Sequence, residues 1–205
     1  MTGGQGPHGG AGRPLVVLVG VPGAGKSTVG RALAERLGVG LRDTDADVED
    51  AAGRPISDIF VESGEPEFRR LEAAAVANSL AEHDGVLALG GGAVLAPENR
   101  GLLRGHTVVW LRVGLAAAVQ RAGLSTARPL LLGNVRAQLK ALMEARAPLY
   151  AEVSSVVVDT DVLSVAEAVA AIEAALAQGD RSADAVAVAE PDDQNDQAPM
   201  EASHG

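Results

Sequence analysis

Lys26 and Ser27 end a run in which glycine recurs at Gly20, Gly23 and Gly25, and Thr28 closes the stretch GVPGAGKST. The spacing is glycine, four residues, then glycine, lysine and serine, the pattern of a phosphate loop. Glycines there let successive backbone N–H groups turn inward around an anion. A helix beginning at the lysine adds its partial positive charge. Lys26 could reach the β- and γ-phosphates of a nucleotide, and Ser27 could offer its hydroxyl to Mg²⁺. The chain holds only two lysines, Lys26 and Lys140, against fifteen arginines. A lysine kept at this position in so arginine-biased a sequence suggests that a compact ammonium is required.

Three other groups could share that chemistry. Asp43 and Asp45 lie two residues apart. One carboxylate could hold Mg²⁺, which takes few protein carboxylates and keeps waters, and the other could accept a proton from a substrate hydroxyl. Asp45 would also serve as a helix cap. Gly90-Gly91-Gly92 strips side chains from a place where something must come close to the backbone, or is simply a turn. Arg69, Arg121, Arg128 and Arg146 carry guanidinium forks suited to carboxylates and phosphates. Taken singly each could be a solvated surface residue; Arg128, beside Pro129, lies in a stretch that reads as a long loop.

The elements that must position these residues follow from periodicity. Leu15–Val19 is apolar and β-branched, a strand buried on both faces. Val29, Leu33 and Leu37 follow at helical spacing. Val39–Arg42 reads as a second strand ending in Asp43-Thr44-Asp45, with helices over Asp45–Ala52, Pro55–Val61 and Glu65–Glu82. Val86–Leu89 and Thr107–Val113 are further strands around a short helix at Pro97–Leu103. Leu115–Ala122 and Val135–Ala147 read as helices, Val153–Asp159 as a strand, and Ser164-x-x-Glu167 as the capping box of a last helix ending near Leu176. Five strands alternating with helices predict an α/β chain, a three-layer α/β/α phosphate-loop fold with a central five-stranded parallel sheet. Ligands bind such sheets at the carboxyl ends of the strands. That rule brings Gly20–Ser27, Asp43–Asp45 and Gly90–Gly92 together. No acid ends Val86–Leu89 or Thr107–Val113, where many phosphate-loop enzymes keep a metal-side aspartate, so the metal role moves to Asp43.

The 205 residues are 47% hydrophobic but only 2% aromatic, so the core must be aliphatic. Without cysteine there are no disulfides or thiolate metal sites. Residues 1–13 and 178–205 read as disordered tails around one domain at 14–177, with a substrate-binding segment near 44–72 and a lid near 123–134. Net charge is −10, of which −6 falls within 180–205. A body at −4 argues against nucleic acid as a partner. No apolar run approaches the ~20 residues that span a bilayer, and the first residues lack the apolar stretch of a secretion signal, so no membrane partner and a cytoplasmic location are expected.

The ordered set GVPGAGKST, DTD at Asp43–Asp45, GEPEFRRLE at Gly64–Glu72, LGGGAV at Leu89–Val94, ARPLL at Ala127–Leu131 and RAPLY at Arg146–Tyr150 resembles the shikimate kinases, within the nucleoside-monophosphate-kinase branch of phosphate-loop proteins. The resemblance covers about Leu15 to Ala175. It implies transfer of the ATP γ-phosphoryl group to the 3-hydroxyl of shikimate, in chorismate and aromatic amino-acid biosynthesis. A monomer is expected. It implies ATP bound by Gly23, Ala24, Gly25, Lys26, Ser27 and Thr28, with Arg121 packed on adenine and Arg128 on phosphates. Ser27 and Asp43 would organise Mg²⁺. Asp45 would bond shikimate hydroxyls and act as base, making Lys26, Asp45 and Arg128 the catalytic set. Arg69 and Arg146 would clamp the shikimate carboxylate, Gly91 and Gly92 would line its ring, Phe60 and Phe68 would wall the pocket, and Glu72 would orient Arg69. The lid run Gly123–Ala127 departs from the family pattern. Another small-molecule kinase, acting on gluconate or a nucleoside monophosphate, fits the phosphate loop and fold equally well. A non-catalytic nucleotide-binding module is the remaining class. No N-K-x-D base-recognition motif supports a GTPase.

Overall fold

The computed structural model describes residues 13–121 and 132–187. Arg128, with most of the expected lid, and both expected tails apart from residue 13 and the stretch up to 187 lie outside them. Five strands form one parallel sheet: β1 (Val16–Val19), β2 (Leu41–Asp43), β3 (Val86–Ala88), β4 (Val108–Arg112) and β5 (Val156–Asp159). Their spatial order is β2-β3-β1-β4-β5. All four pairings are parallel, with Leu18 opposite Ala88 on one side and Val109 on the other. The helices are α1 (Lys26–Leu37), α2 (Thr44–Ala52), α3 (Ile56–Glu62), α4 (Gly64–Glu82), α5 (Pro97–Leu102), α6 (Leu115–Arg121), α7 (Leu132–Val153) and α8 (Val165–Ala187).

β1 is central because its side chains leave no solvated face. Val16, Val17 and Leu18 are fully buried and Val19 nearly so. Each such side chain contributes roughly 1.5–3 kcal/mol of burial. β1 is also where the chain changes direction across the sheet, passing to β2 and β3 on one side and β4 and β5 on the other. The crevice at its carboxyl end is therefore the expected ligand position. Gly30 lets α1 lie close over the sheet, since a Cβ there would stand 3.0 Å from Leu41 Cδ1 and 3.2 Å from Leu18 Cδ1.

The aliphatic core runs along both faces of the sheet. A second, separate core is much smaller. Val48, Ile59, Phe68 and Ala75 bury one another where α2, α3 and α4 meet, with Ala52, Ile56 and Leu71 around them. These three helices span residues 44–82, beyond the segment expected near 44–72.

Three helix boundaries differ from the sequence reading. α2 is capped by Asp43, whose Oδ1 accepts from the Asp45 N–H at 3.0 Å; Asp45 is not the cap. α7 begins at Leu132 and continues through Pro148 to Val153, where a stop at Ala147 was expected. A proline inside a helix costs roughly 3 kcal/mol. Here Tyr150, 1% exposed and stacked on Trp110 at 5.8 Å between ring centroids, anchors the turn beyond it. α8 continues to Ala187 rather than ending near Leu176, although the added stretch carries Gly179 and two aspartates of low helix propensity.

Candidate active site

The loop after β1 departs from ordinary backbone geometry where glycine allows it. Gly23 has φ 80° and Gly25 φ 93°, and Gly25 caps α1 without a side-chain bond, leaving the first N–H groups of α1 free. The Lys26 ammonium folds back over this loop, donating to the carbonyls of Gly20 at 2.9 Å and Val21 at 3.3 Å. Burial pushes its pKa below the usual lysine value, while Asp45 and Asp43 oppose that shift. A cavity of about 370 Å³ opens here, lined by Gly23, Gly25, Lys26, Ser27, Thr28, Asp43, Asp45 and Arg121, with Pro22 at its edge.

Asp43 stands at the end of β2 and uses its oxygens differently. Oδ1 caps α2, and Oδ2 accepts from the Ser27 hydroxyl at 3.3 Å. One hydroxyl and one carboxylate oxygen facing a phosphate cavity form the sparse oxygen donor set that suits Mg²⁺. No cluster of three or more His, Cys, Asp or Glu side chains with metal-binding spacing occurs among the described residues.

Asp45 points the other way, towards the end of β3. A Cβ on Gly90 would lie 2.4 Å from Asp45 Oδ1 and 3.2 Å from Glu72 Oε1. So the first residue of the triplet lacks a side chain because two carboxylates press against it. Thr44, fully buried between the aspartates, fixes the approach by accepting from the Gly90 N–H at 2.9 Å. Burial pushes the Asp45 carboxyl above the usual range, and Asp43 pushes it further, against the pull of Lys26. Its carboxylate is thereby a stronger base than one in water.

The arginines divide. Arg69, on α4, bonds Glu72 at 2.7 Å and Glu65 at 3.0 Å, and its Nη1 would lie 2.3 Å from a Cβ on Gly92. Glu72 is 2% exposed, and burial holds its carboxyl above the usual range while Arg69 opposes this. Arg146, on α7, donates to the Gly91 carbonyl at 2.8 Å. Gly91 itself is closed in by Pro22, whose Cδ would stand 3.1 Å from a Cβ there. Lys26, Asp45, Glu72, Arg69 and Arg146 therefore gather around Gly90–Gly92 at the carboxyl edge. Phe60 and Phe68 stack tilted at 4.6 Å between centroids. Phe68, 6% exposed, belongs to the small core and carries the Arg69 guanidinium over its ring at 5.1 Å, whereas Phe60 is exposed.

Arg121 lies between two cavities. The second, about 280 Å³, is lined by Ala24, Gly25, Thr28, Arg121, Thr160, Leu163 and Ser164 among others. Arg121 is held there by the Thr160 hydroxyl at 3.1 Å and the Thr160 carbonyl at 2.8 Å. Thr160 Oγ1 also lies 3.2 Å from the Ala24 carbonyl, joining the end of β5 to the phosphate loop. Sequence reasoning passed over Thr44, Thr160 and Tyr150. The strand-end rule that selected Asp43 and Gly90 also covers Thr160, just past β5, and the spacing of Arg146 and Tyr150 places both on one helical face.

Comparison with known proteins follows the same lines. The family model described as "SKI: Shikimate kinase" matches residues 22–177. The shikimate kinase of Thermobifida fusca is 61% identical over 148 residues, covering 72% of this chain and 86% of that protein. That of Salinispora tropica is 62% identical over 148 residues, covering 72% and 89%. Among solved structures, the shikimate kinase of Acinetobacter baumannii in complex with shikimate superposes with a TM-score of 0.74 at 34% identity, covering 82% of this chain and 94% of that one. A gluconokinase from Sinorhizobium meliloti shares the fold, at 24% identity and a TM-score of 0.53.

Proposed function

The chain belongs to the shikimate kinase family, and on that premise we propose that it phosphorylates the 3-hydroxyl of shikimate with ATP, giving shikimate 3-phosphate and ADP for chorismate and aromatic amino-acid biosynthesis. The observation that carries the reading is the packing of the glycine triplet. Gly90 abuts Asp45 and Gly92 abuts Arg69, so a base and a carboxylate-binding guanidinium share one cleft with the phosphate loop.

In this reading ATP lies with its phosphates along Gly23–Thr28 and its base in the cavity beside Arg121 and Thr160. The free N–H groups at the start of α1 and the Lys26 ammonium neutralise phosphate charge. Ser27 and Asp43 would hold Mg²⁺, which supplies charge neutralisation on the β- and γ-phosphates when bound. Arg69 and Arg146 take the shikimate carboxylate, and Gly91 and Gly92 admit its ring. Asp45 accepts the proton of the 3-hydroxyl as the oxygen bonds to the γ-phosphorus and the bond to the β-phosphate oxygen breaks, releasing ADP. Pairing two arginines with a single carboxylate suits a small anionic polyol. Phe60 and Phe68 are proposed as walls of this half, Arg128 as a further phosphate ligand, and the enzyme as a cytoplasmic monomer without nucleic-acid or membrane partners. Among the described residues no helix is long and apolar enough to cross a membrane.

The test is ADP release measured in parallel with shikimate, gluconate and CMP. Turnover with shikimate alone is expected. Turnover with gluconate or CMP in its place, or ATP binding without turnover on any acceptor, overturns the proposal.

A further inference from the structure

Tyr150 is the only tyrosine and Trp110 the only tryptophan in the chain, and they stack on each other behind the glycine triplet at 5.8 Å between centroids. The Tyr150 hydroxyl donates to the Gly91 carbonyl at 2.6 Å. The same carbonyl accepts from Arg146 Nη1 at 2.8 Å, so both of its lone pairs are used. Arg146 and Tyr150 stand one turn apart on α7, on either side of Pro148. The backbone N–H missing at Pro148 weakens the helix at the turn that carries them. Two contacts restore rigidity there: the phenol against Trp110 and its bond to Gly91.

We infer that Tyr150 is a positioning residue for acceptor binding, which fixes the Gly91 carbonyl and through it the orientation of the Arg146 guanidinium. An arginine has five N–H donors in a rigid fork. With Nη1 committed to a carbonyl that cannot move, the remaining donors keep one direction. Without the phenol, the Gly91 carbonyl is free to tilt, and the fork tilts with it. Tyr150 does not line the cavity of Lys26, Asp43 and Asp45, so its effect falls on acceptor affinity through Arg146 and not on the phosphate loop. Burial pushes the phenol up to about 12, with Arg146 opposing, so the donor persists across the working pH range.

This inference rests on the proposal that Arg146 and Gly91 face shikimate, and the experiment separates the two. Tyr150→Phe removes one oxygen and keeps the ring stack. KM for shikimate should rise roughly five- to tenfold, the size expected for one lost hydrogen bond in a buried network, with kcat within about threefold and KM for ATP within about twofold. In an Arg146→Lys background, where the fork is absent, the same substitution should have a much smaller effect, a coupling that a general loosening of α7 would not produce. Isothermal titration calorimetry with shikimate gives the binding constant without turnover, so a poorly active variant is still informative. Should wild-type enzyme turn over shikimate while Tyr150→Phe leaves its KM within twofold, or raises both KM values together with equal effect in both backgrounds, the positioning role is wrong and the proposed function stands. Should wild-type enzyme fail to use shikimate, the proposed function falls first.

Discussion

Replacing Gly90 with alanine adds a single methyl group in a place where the structure leaves none. Gly90 does not lie in the left-handed region, so the backbone accepts alanine without strain. The new Cβ would stand 2.4 Å from Asp45 Oδ1, about 1 Å inside the 3.4 Å at which ordinary contact begins. Neither side yields easily. Gly90 is tied through its N–H to the Thr44 hydroxyl, and the start of α2 is tied to Asp43. The carboxylate must therefore rotate away from the position it holds between Lys26 and the glycine triplet. A displacement of about 1 Å at a reacting group costs on the order of 10²-fold in rate, which is about 2.7 kcal/mol of barrier. Overpacking should also lower stability by roughly 1–3 kcal/mol, a Tm decrease of several degrees for a domain of this size. The assay is steady-state ADP release with shikimate and ATP varied in turn, with Tm measured alongside. We expect kcat to fall by roughly two orders of magnitude and KM for ATP to stay within twofold. Gly101→Ala is the control: a Cβ added there would meet no atom within 4 Å, so kcat should be unchanged and stability should rise by about 0.4–1 kcal/mol. A folded Gly90→Ala enzyme with kcat within twofold of wild type would refute the placement of Asp45 at the reacting hydroxyl.

Asp45→Asn should depress kcat far more than ATP affinity; an unchanged kcat removes Asp45 as base. The same substitution should raise Tm at neutral pH. The Asp45 carboxyl is raised in the folded chain by burial, so its stabilising contribution is present below the unfolded value near 3.9 and is lost as pH rises through the folded value. The Tm difference between Asp45→Asn and wild type should therefore shrink as pH is lowered, and a difference independent of pH would contradict the assignment. Arg69→Ala should cost ~2–5 kcal/mol in kcat/KM for shikimate, because Glu72, 2% exposed, loses its partner as the substrate does; unaltered turnover would dismiss the carboxylate clamp. Thr160→Val should raise KM for ATP and leave KM for shikimate alone, since it removes one of the two bonds that hold the Arg121 guanidinium and keeps the bond to the Thr160 carbonyl; equal changes in both would point to a general defect.

Most of this site was legible because it follows one geometric rule. Strands read from apolar runs predict a parallel sheet, and the residues that follow β1, β2 and β3 meet at one edge. What escaped depends on side chains that act across sequence. Thr44 looks like a spacer between two acids until its hydroxyl is seen on Gly90. Pro148 is a local stop signal, overridden by the burial of a tyrosine two residues later. The cap of α2 was misplaced by two residues because Asp43 and Asp45 are chemically equivalent in sequence, and only the backbone turn after β2 selects between them. Shikimate itself came from the ordered motifs, since no single residue encodes it.

The small core of α2, α3 and α4 has a consequence for how the molecule breathes. Four buried apolar side chains with three partly buried ones around them form it, whereas the sheet core holds buried residues of β1, β3, β4 and β5. The acceptor half can therefore open by local unfolding while the sheet and the phosphate loop stay closed. Amides of Val48 and Ile59 should exchange with solvent deuterium faster than that of Leu18, at the centre of β1. Shikimate bridging Asp45 and Arg69 would tie α2 to α4 and slow that opening. At a concentration 100 times its Kd, the stabilisation is about 2.7 kcal/mol, a roughly hundredfold slower exchange confined to these helices. In that sense the proposed acceptor would complete the fold of the helices it bridges.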